Sequence, residues 1–349
     1  MKKLIAVTLA ALMSLSVSVT AFAANPVERK LTELTSNPIS EDGVAYNAGD
    51  SVTPNQTIYF LIPNSAAAKL NDSKTTKVSI RKTKNAKLVK SVKLVEKKIT
   101  TTSGNYIVPV VNTLDPTKKT DNVPMNQRNT YLAVELNDTT GTDEYKVELA
   151  VSFTAKKADV NFTYGNASSV PANANFLATP LKNGDKLTLN ASFYVANKAD
   201  SGDTSVTVGN KGMIIKPVKN DINEVIFESD DTLATLTFKA NSNPDKFYAK
   251  LTTKWTSDLL AKFKNTDAVI RRFTPATIDS SSRAVLMLNN PFDEDAVDTD
   301  DVYIYTVDSK GVLTNVTSSF TYDEDEDAFV TKTRTLGTWI ISDTKIKLK

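Results

Sequence analysis

The sequence predicts an all-β protein made of antiparallel β-sandwich domains in tandem, with one short helix near 256–263. Three observations predict it. Apolar residues recur at every second position in many short runs, the spacing of half-buried strands. Asn, Asp, Ser and Gly gather between the runs, as turns require. Periodic helices between the runs are missing, which argues against a parallel α/β sheet.

The elements follow in order. Lys2 and Lys3 precede an apolar stretch, Leu4 to Val19, and Ala21-Phe22-Ala23 fits a small-x-small cleavage site. Residues 1–23 therefore read as a cleaved signal peptide: the apolar stretch is short and sprinkled with Ser and Thr, where a spanning helix needs about 20 apolar residues. No Cys follows it for lipid attachment, and no second stretch has membrane length. A first, Lys-rich domain is expected over 24–157. Its strands are 56–62, 77–82, 87–97, 106–111, 131–136 and 145–155. The last is the cleanest, with Val147, Leu149, Val151 and Phe153 facing one way. A second domain is expected over 158–273. It holds an Asn-, Ala-, Ser- and Pro-rich loop over 165–180. Its strands are 186–195, 213–218, 224–227, 233–238, 247–255 and 270–273. The short helix precedes the last strand, with Thr256 or Ser257 as cap and Asp258 in its first turn. A third domain, 274–349, either stands alone or merges with the second. Its strands are 283–288, 302–307, 319–322, 328–333 and 338–342, with turns at Asp308-Ser309-Lys310-Gly311 and Asp323–Asp327.

The stretch Val302-Tyr303-Ile304-Tyr305-Thr306-Val307, the Asp308–Gly311 turn, Ala328-Phe329-Val330-Thr331 and Gly337-Thr338-Trp339-Ile340-Ile341-Ser342 carry a resemblance. Together, strands 302–342 resemble the C-terminal strands of Ig-like β-sandwich modules in secreted and surface proteins of Gram-positive bacteria. In this chain the Asp-Gly turn is lengthened and Trp339 replaces a Tyr. The resemblance implies an Ig-like fold and an extracellular or surface setting. It carries over no active-site residue.

The 349 residues contain no histidine and no cysteine. That removes an imidazole base, a thiol nucleophile, a Cys/His zinc site and disulfides. No Walker A, Gly-x-Gly-x-x-Gly or Gly-x-Ser-x-Gly pattern occurs. Ser79-Ile80-Arg81-Lys82 matches Ser-x-x-Lys, but that chemistry needs the Ser at a helix start, and these residues sit in a strand pattern. A carboxylate-dependent hydrolase stays formally open because it needs no His, yet no pair of acids stands out. The expectation is that the protein is not an enzyme.

Formal net charge is only +2, but it is unevenly placed. Asp293, Asp295, Asp298, Asp300 and Asp301 are candidate calcium ligands, since a hard cation wants six to eight oxygens. Their spacing departs from an EF-hand loop, with Val297 at a ligand position and Asp298 where Gly is needed. The plain alternative is a solvated acidic loop. No other cofactor is expected. Lys82, Lys84, Lys87, Lys90, Lys93, Lys97 and Lys98 form a candidate surface for a polyanion or an acidic partner. Their alternative role is to keep a sheet edge from pairing wrongly. Nucleic acid is not expected: the chain reads as exported, Lys outnumbers Arg in that region and aromatics are few there. Trp255, Trp339, Tyr46, Tyr59, Tyr106, Tyr131, Tyr303 and Tyr305 could make a sugar-stacking platform, or serve as core and cross-strand pairs.

These readings converge on a secreted, extracellular or non-covalently wall-associated structural or adhesive protein. Its expected partners are a cell-wall polymer, another surface protein, or a second copy of itself joined basic domain to acidic domain. A carbohydrate-binding surface module is the alternative.

Overall fold

A computed structural model describes residues 28–30, 38–47, 49–62, 72–99, 105–109, 120–124, 128–157, 182–293 and 297–348. The expected leader over 1–23, the loop over 165–180 and Asp295 lie outside the described residues. The first half of the chain runs through β1 (Glu28–Lys30), β2 (Ile39–Ser40), β3 (Ser51–Val52), β4 (Thr57–Leu61), β5 (Thr76–Lys84) and β6 (Val89–Lys97). It continues through β7 (Asn105–Pro109), β8 (Thr120–Pro124), β9 (Asn129–Leu136), β10 (Tyr145–Ala155) and β11 (Lys186–Val195). The second half holds β12 (Ser205–Val208), β13 (Met213–Ile215), β14 (Ile222–Glu228), β15 (Thr232–Lys239), β16 (Phe247–Thr252) and β17 (Ala268–Thr274). After these come β18 (Ala284–Asn289), β19 (Tyr303–Val307), β20 (Leu313–Asn315), β21 (Thr321–Asp323), β22 (Ala328–Thr333) and β23 (Thr338–Ser342). Among the described residues the α-helix is α1, Ser257–Lys262. The fold is all-β, with sandwich-type packing of mostly antiparallel sheets.

The chain divides into two compact units. Unit 1 takes residues 1–50, 56–137 and 146–193; unit 2 takes 51–55, 138–145 and 194–349. These limits differ from the expected ones. β10 and β11 are neighbours in one sheet, so residues on both sides of 157 belong to unit 1. β15 pairs with β18 and β17 with β23, so two sheets bridge residue 274 and the third expected domain merges with the second, one of the two alternatives the sequence left open. Ladder hydrogen bonds between distant strands override a boundary drawn from turn composition.

In unit 1 one sheet has the order β2-β4-β9-β6, and β1-β11-β10-β5 run side by side in another. Alternation places Ile58 and Phe60 of β4, and Leu132 and Val134 of β9, on one face, all buried. Val147, Leu149, Val151 and Phe153 of β10 are buried as expected. The Phe60 and Phe193 rings meet at 5.5 Å, which ties the two sheets together. Each such side chain contributes about 1.5–3 kcal/mol on burial. β7 and β8 form a separate hairpin.

Unit 2 packs two six-stranded sheets, ordered β12-β14-β15-β18-β22-β21 and β13-β16-β17-β23-β19-β20. Val225, Phe227, Leu236, Leu286 and Leu288 of the first share one apolar core with Leu251, Phe273, Ile304 and Ile341 of the second. Phe227 and Phe273 meet edge to face at 5.1 Å. The second sheet also buries its other face, where Ile270, Tyr305, Leu313 and Ile340 pack on Leu259 and Phe263 of the α1 region. Double burial explains why 303–307 and 338–342 read as nearly continuous apolar runs. It also explains the helix: Leu259 is its buried residue, and the segment lies over a sheet face rather than between strands.

The sequence reading missed β12, which pairs in parallel with β14. Its residues Ser-Val-Thr-Val carry two apolar positions, too few for a periodic signal. The two expected turns of unit 2 form. At Asp308–Gly311 the carboxylate of Asp308 accepts from the N–H groups of Lys310 and Val312, and Gly311 takes φ +78°. The acidic turn between β21 and β22 is closed by the Tyr322 hydroxyl donating to Asp327 at 2.7 Å.

One core position breaks the pattern. Arg271 lies between Val269 and Phe273 on the core-facing side of β17 and opposite Trp339 on β23. It is 7 % exposed, its Nε has no hydrogen-bond partner, and it makes no ion pair among the described residues. Desolvation alone pushes its pKa down. A buried guanidinium without a carboxylate costs free energy, and an apolar residue of similar length removes that cost. Arg271→Met is expected to stabilise unit 2 by about 1–4 kcal/mol, read as a higher urea midpoint by near-UV circular dichroism. A lower midpoint would show that the guanidinium makes a net favourable contact.

Candidate functional site

The expected lysines gather at one corner of unit 1. β5 ends one sheet and β6 ends the other, and the two strands are joined by a single turn. Edge strands expose unpaired backbone groups, and lysine is a common guard of such edges. Lys82 and Lys84 lie on β5, Lys87 in the 3-10 turn Ala86–Leu88, Lys90, Lys93 and Lys97 on β6, and Lys98 just beyond.

The turn holds this corner in one shape. Asn85 sits in the left-handed region at φ 51° and ψ 41°, a conformation that Asn adopts more readily than most residues. Its side-chain amide donates to the Lys146 carbonyl at 2.8 Å. Leu88 is buried, and its N–H donates to the Asn85 carbonyl at 3.0 Å. From the other side Asn137 donates its side-chain amide to the Lys87 carbonyl at 2.7 Å and its N–H to the Leu88 carbonyl at 2.9 Å. The Lys82 ammonium donates to the Val89 carbonyl, so its charge is tied into the turn.

The lysines then sort into two sets. Lys90 pairs with Glu135 at 2.7 Å, and Ser91 donates to the same carboxylate. These hydrogen bonds, first from Lys90 and then from Ser91, hold Glu135 below the usual carboxylate range. Lys97 donates to Glu41 and lies 4.7 Å from the centroid of the Tyr59 ring, whose hydroxyl it also reaches at 3.1 Å. The Lys97 hydrogen bond lowers the Glu41 pKa, and the bond to Glu41 raises that of Lys97. Lys84, Lys87, Lys93 and Lys98 are exposed and make no ion pair among the described residues. Exposed Lys77 and Arg81 extend the cationic row along β5. A trough of about 370 Å³ runs beside β6, and its charged lining is mixed, with Lys93 and Lys97 beside Glu41, Glu96 and Glu135. The corner can therefore present mobile positive charge on a fixed backbone. Glu41, Glu135, Asn85 and Asn137 were not singled out from sequence. Asn85 alone carried a signal, an Asn between two lysine-bearing strands.

The other candidates fare differently. Asp298 is spent as a cap: its carboxylate accepts from the Asp300 N–H at 3.0 Å at the start of a 3-10 turn over Thr299–Asp301. Asp293 accepts from the Val297 N–H through its carbonyl at 3.0 Å. Among the described residues no three acidic side chains converge as metal ligands; of the expected calcium ligands, Asp295 lies outside the described residues. The tight turn spends a carboxylate on backbone N–H groups. Tyr59, Tyr131, Tyr305 and Trp339 are buried, and Tyr46, Trp255 and Tyr303 are partly so. The side chain of Tyr106 lies outside the described residues. Ser79 and Lys82 both lie within β5, where a separation of three puts them on opposite faces, so they make no nucleophile pair.

The Glu41–Lys97 contact gives a measurable prediction. A carboxylate held low in the folded state adds stability above its unfolded pKa and loses it as pH falls through the folded value. Carbon-detected NMR titration is expected to place the Glu41 midpoint below that of an ordinary Glu. In Lys97→Met it is expected to return to the ordinary range. An unchanged midpoint in the variant would refute the pairing.

No protein-family model matches the chain, and no curated protein matches its sequence. Among solved structures, a chain named BspA_C_WT aligns over 88 % of this chain and 89 % of its own length, at 10 % identity and a TM-score of 0.21. At that score the likeness carries no argument about fold or function.

Proposed function

We propose that this is a non-catalytic extracellular or cell-surface protein of structural or adhesive type, which engages a polyanionic partner through the β5–β6 corner. The single observation that carries the reading is the joining of two lysine-bearing edge strands by a turn clamped by Asn85 and Asn137, with Lys84, Lys87, Lys93 and Lys98 making no ion pair among the described residues. Pre-organised backbone and unneutralised charge are what attraction to a polymer of repeated negative charge needs. The absence of histidine and cysteine supports a non-catalytic role. Export rests on the sequence of residues 1–23. Among the described residues, no helix is long and apolar enough to cross a membrane.

A second reading has its own observation. The turn between β21 and β22 exposes Glu324, Asp325 and Glu326 on the surface of unit 2. A second copy of the chain could supply that acidic tip to the basic corner, and such head-to-tail contacts propagate when rotation does not close them.

The test uses the mature chain on immobilised polyphosphate. Binding is expected at low salt and should weaken steeply as ionic strength rises, because exposed charges are screened over about 8 Å at physiological salt. Replacing Lys84, Lys87, Lys93 and Lys98 together with Glu is expected to weaken binding by at least about tenfold. Unaltered binding by that variant would sink the proposal. Light scattering of the free protein separates the second reading: a salt-dependent rise in particle size, lost in the same variant, would favour self-association.

A further inference from the structure

The helix-bearing face of unit 2 carries an open groove of about 660 Å³, within the size range of small-molecule sites. One wall is the end of α1 and the turn after it, through Ala261, Lys262 and Lys264. A second is the β19–β20 turn, through Gly311, Val312 and Leu313. A third is the segment after β23, through Ile346, Lys347 and Leu348. Leu313 and Ile346 belong to the apolar cluster of Phe263, Ile270, Tyr305 and Ile340, so an apolar core lies against the groove.

Two features mark this groove as more than surface relief. The first is where apolar area is left in water. Val44, Ile222, Leu260, Val312 and Leu348 are the large exposed apolar side chains among the described residues. Val312 at 55 % and Leu348 at 45 % line the groove, and Leu260 at 53 % adjoins it through Ala261. Scattered exposed apolar residues need no explanation, but their concentration at one concavity does. The second feature is charge. The charged side chains lining the groove are Lys262, Lys264 and Lys347, all exposed, with no acid among them and no ion pair among the described residues. Two acids near these walls already accept hydrogen bonds from backbone N–H groups. Asp308 accepts from the Lys310 and Val312 N–H groups, and Asp343 accepts from the Asp267 N–H.

A groove that offers Val312, Leu313, Ile346 and Leu348 beside neutral Asn265, Thr266 and Thr344, and whose charged residues are all lysines, complements a molecule with an apolar body and an anionic head. We propose that this groove binds a single-chain anionic amphiphile, a long-chain carboxylate, with its alkyl chain along Val312, Leu313, Ile346 and Leu348 and its carboxylate among Lys262, Lys264 and Lys347. The site lies in unit 2, separate from the lysine corner of unit 1, and does not depend on the function proposed for that corner.

Isothermal titration of the mature protein with octanoate, decanoate and laurate, each below its micelle concentration, tests the assignment. Saturable binding at one site is expected, tightening with chain length by up to about fourfold for each buried methylene. Dodecanol and dodecyltrimethylammonium should bind at least about tenfold more weakly than laurate, because they lack the anionic head. The charge variant K262E/K264E/K347E is expected to lose laurate binding, and the apolar-to-polar variant V312S/L348S to weaken it for every chain length. All five positions are exposed, and unchanged thermal unfolding will show that the variants fold. The proposal is overturned by no saturable laurate binding, by equal affinity for dodecyltrimethylammonium, or by full binding in the charge variant. Uptake confined to anionic phospholipid vesicles would overturn it as well, since that would make the face a membrane-docking surface.

Discussion

Cohesion in this protein rests on sheet faces pressed together, because nothing covalent is available to hold them. The chain has no cysteine, so each unit must bury enough apolar surface to offset the conformational entropy of its own strands. Phe60 against Phe193 in unit 1, and Phe227 against Phe273 in unit 2, mark the planes where this happens. Alternation along each strand follows from it: one residue faces the partner sheet and the next faces water or another layer. The β13-β16-β17-β23-β19-β20 sheet takes the constraint furthest, since it buries Ile304 on one side and Tyr305 on the other. Arg271, a guanidinium in that core with no ion pair among the described residues, is tolerated because the surrounding packing outweighs its cost.

Packed faces leave sheet edges and the margins of covering layers as the places where chemistry can reach solvent, and the lysine corner lies at such edges. At the β5–β6 corner two edges meet, and their lysines serve two physical ends. They discourage strand addition from another chain, and those that make no ion pair among the described residues offer charge to a partner. Glu41 and Glu135 neutralise part of the row, which concentrates the free charge on Lys84, Lys87, Lys93 and Lys98. In unit 2 the groove arises because α1, the β19–β20 turn and the segment after β23 flank the helix-bearing layer without closing over it.

Much of the strand layout was legible from periodicity. β10 was expected over 145–155 and is found there, and the Asp308–Gly311 turn was visible from its residue types. β12 was not, because a four-residue strand with two apolar positions gives no period. The candidate lysines were legible as a run of charge, but their division into paired and unpaired sets was not. Glu41 lies 56 residues from Lys97, and Glu135 lies 45 from Lys90. Such pairings depend on which strands become neighbours. In the acidic stretch near 293–301, composition counts carboxylates but does not show that the Asp298 carboxylate accepts from the Asp300 N–H at a tight turn.

The sequence by itself determined the class of structure, the absence of thiol and imidazole chemistry, and the presence of a basic region and an acidic one. These are local properties, set by side-chain type and by spacing along a few residues. Only the tertiary structure decided where the units divide, which lysines keep their charge free, and that the loops around α1 leave an apolar groove under a lysine rim. Those outcomes depend on contacts between residues far apart in the chain, and alternation along a single strand holds no information about its partner.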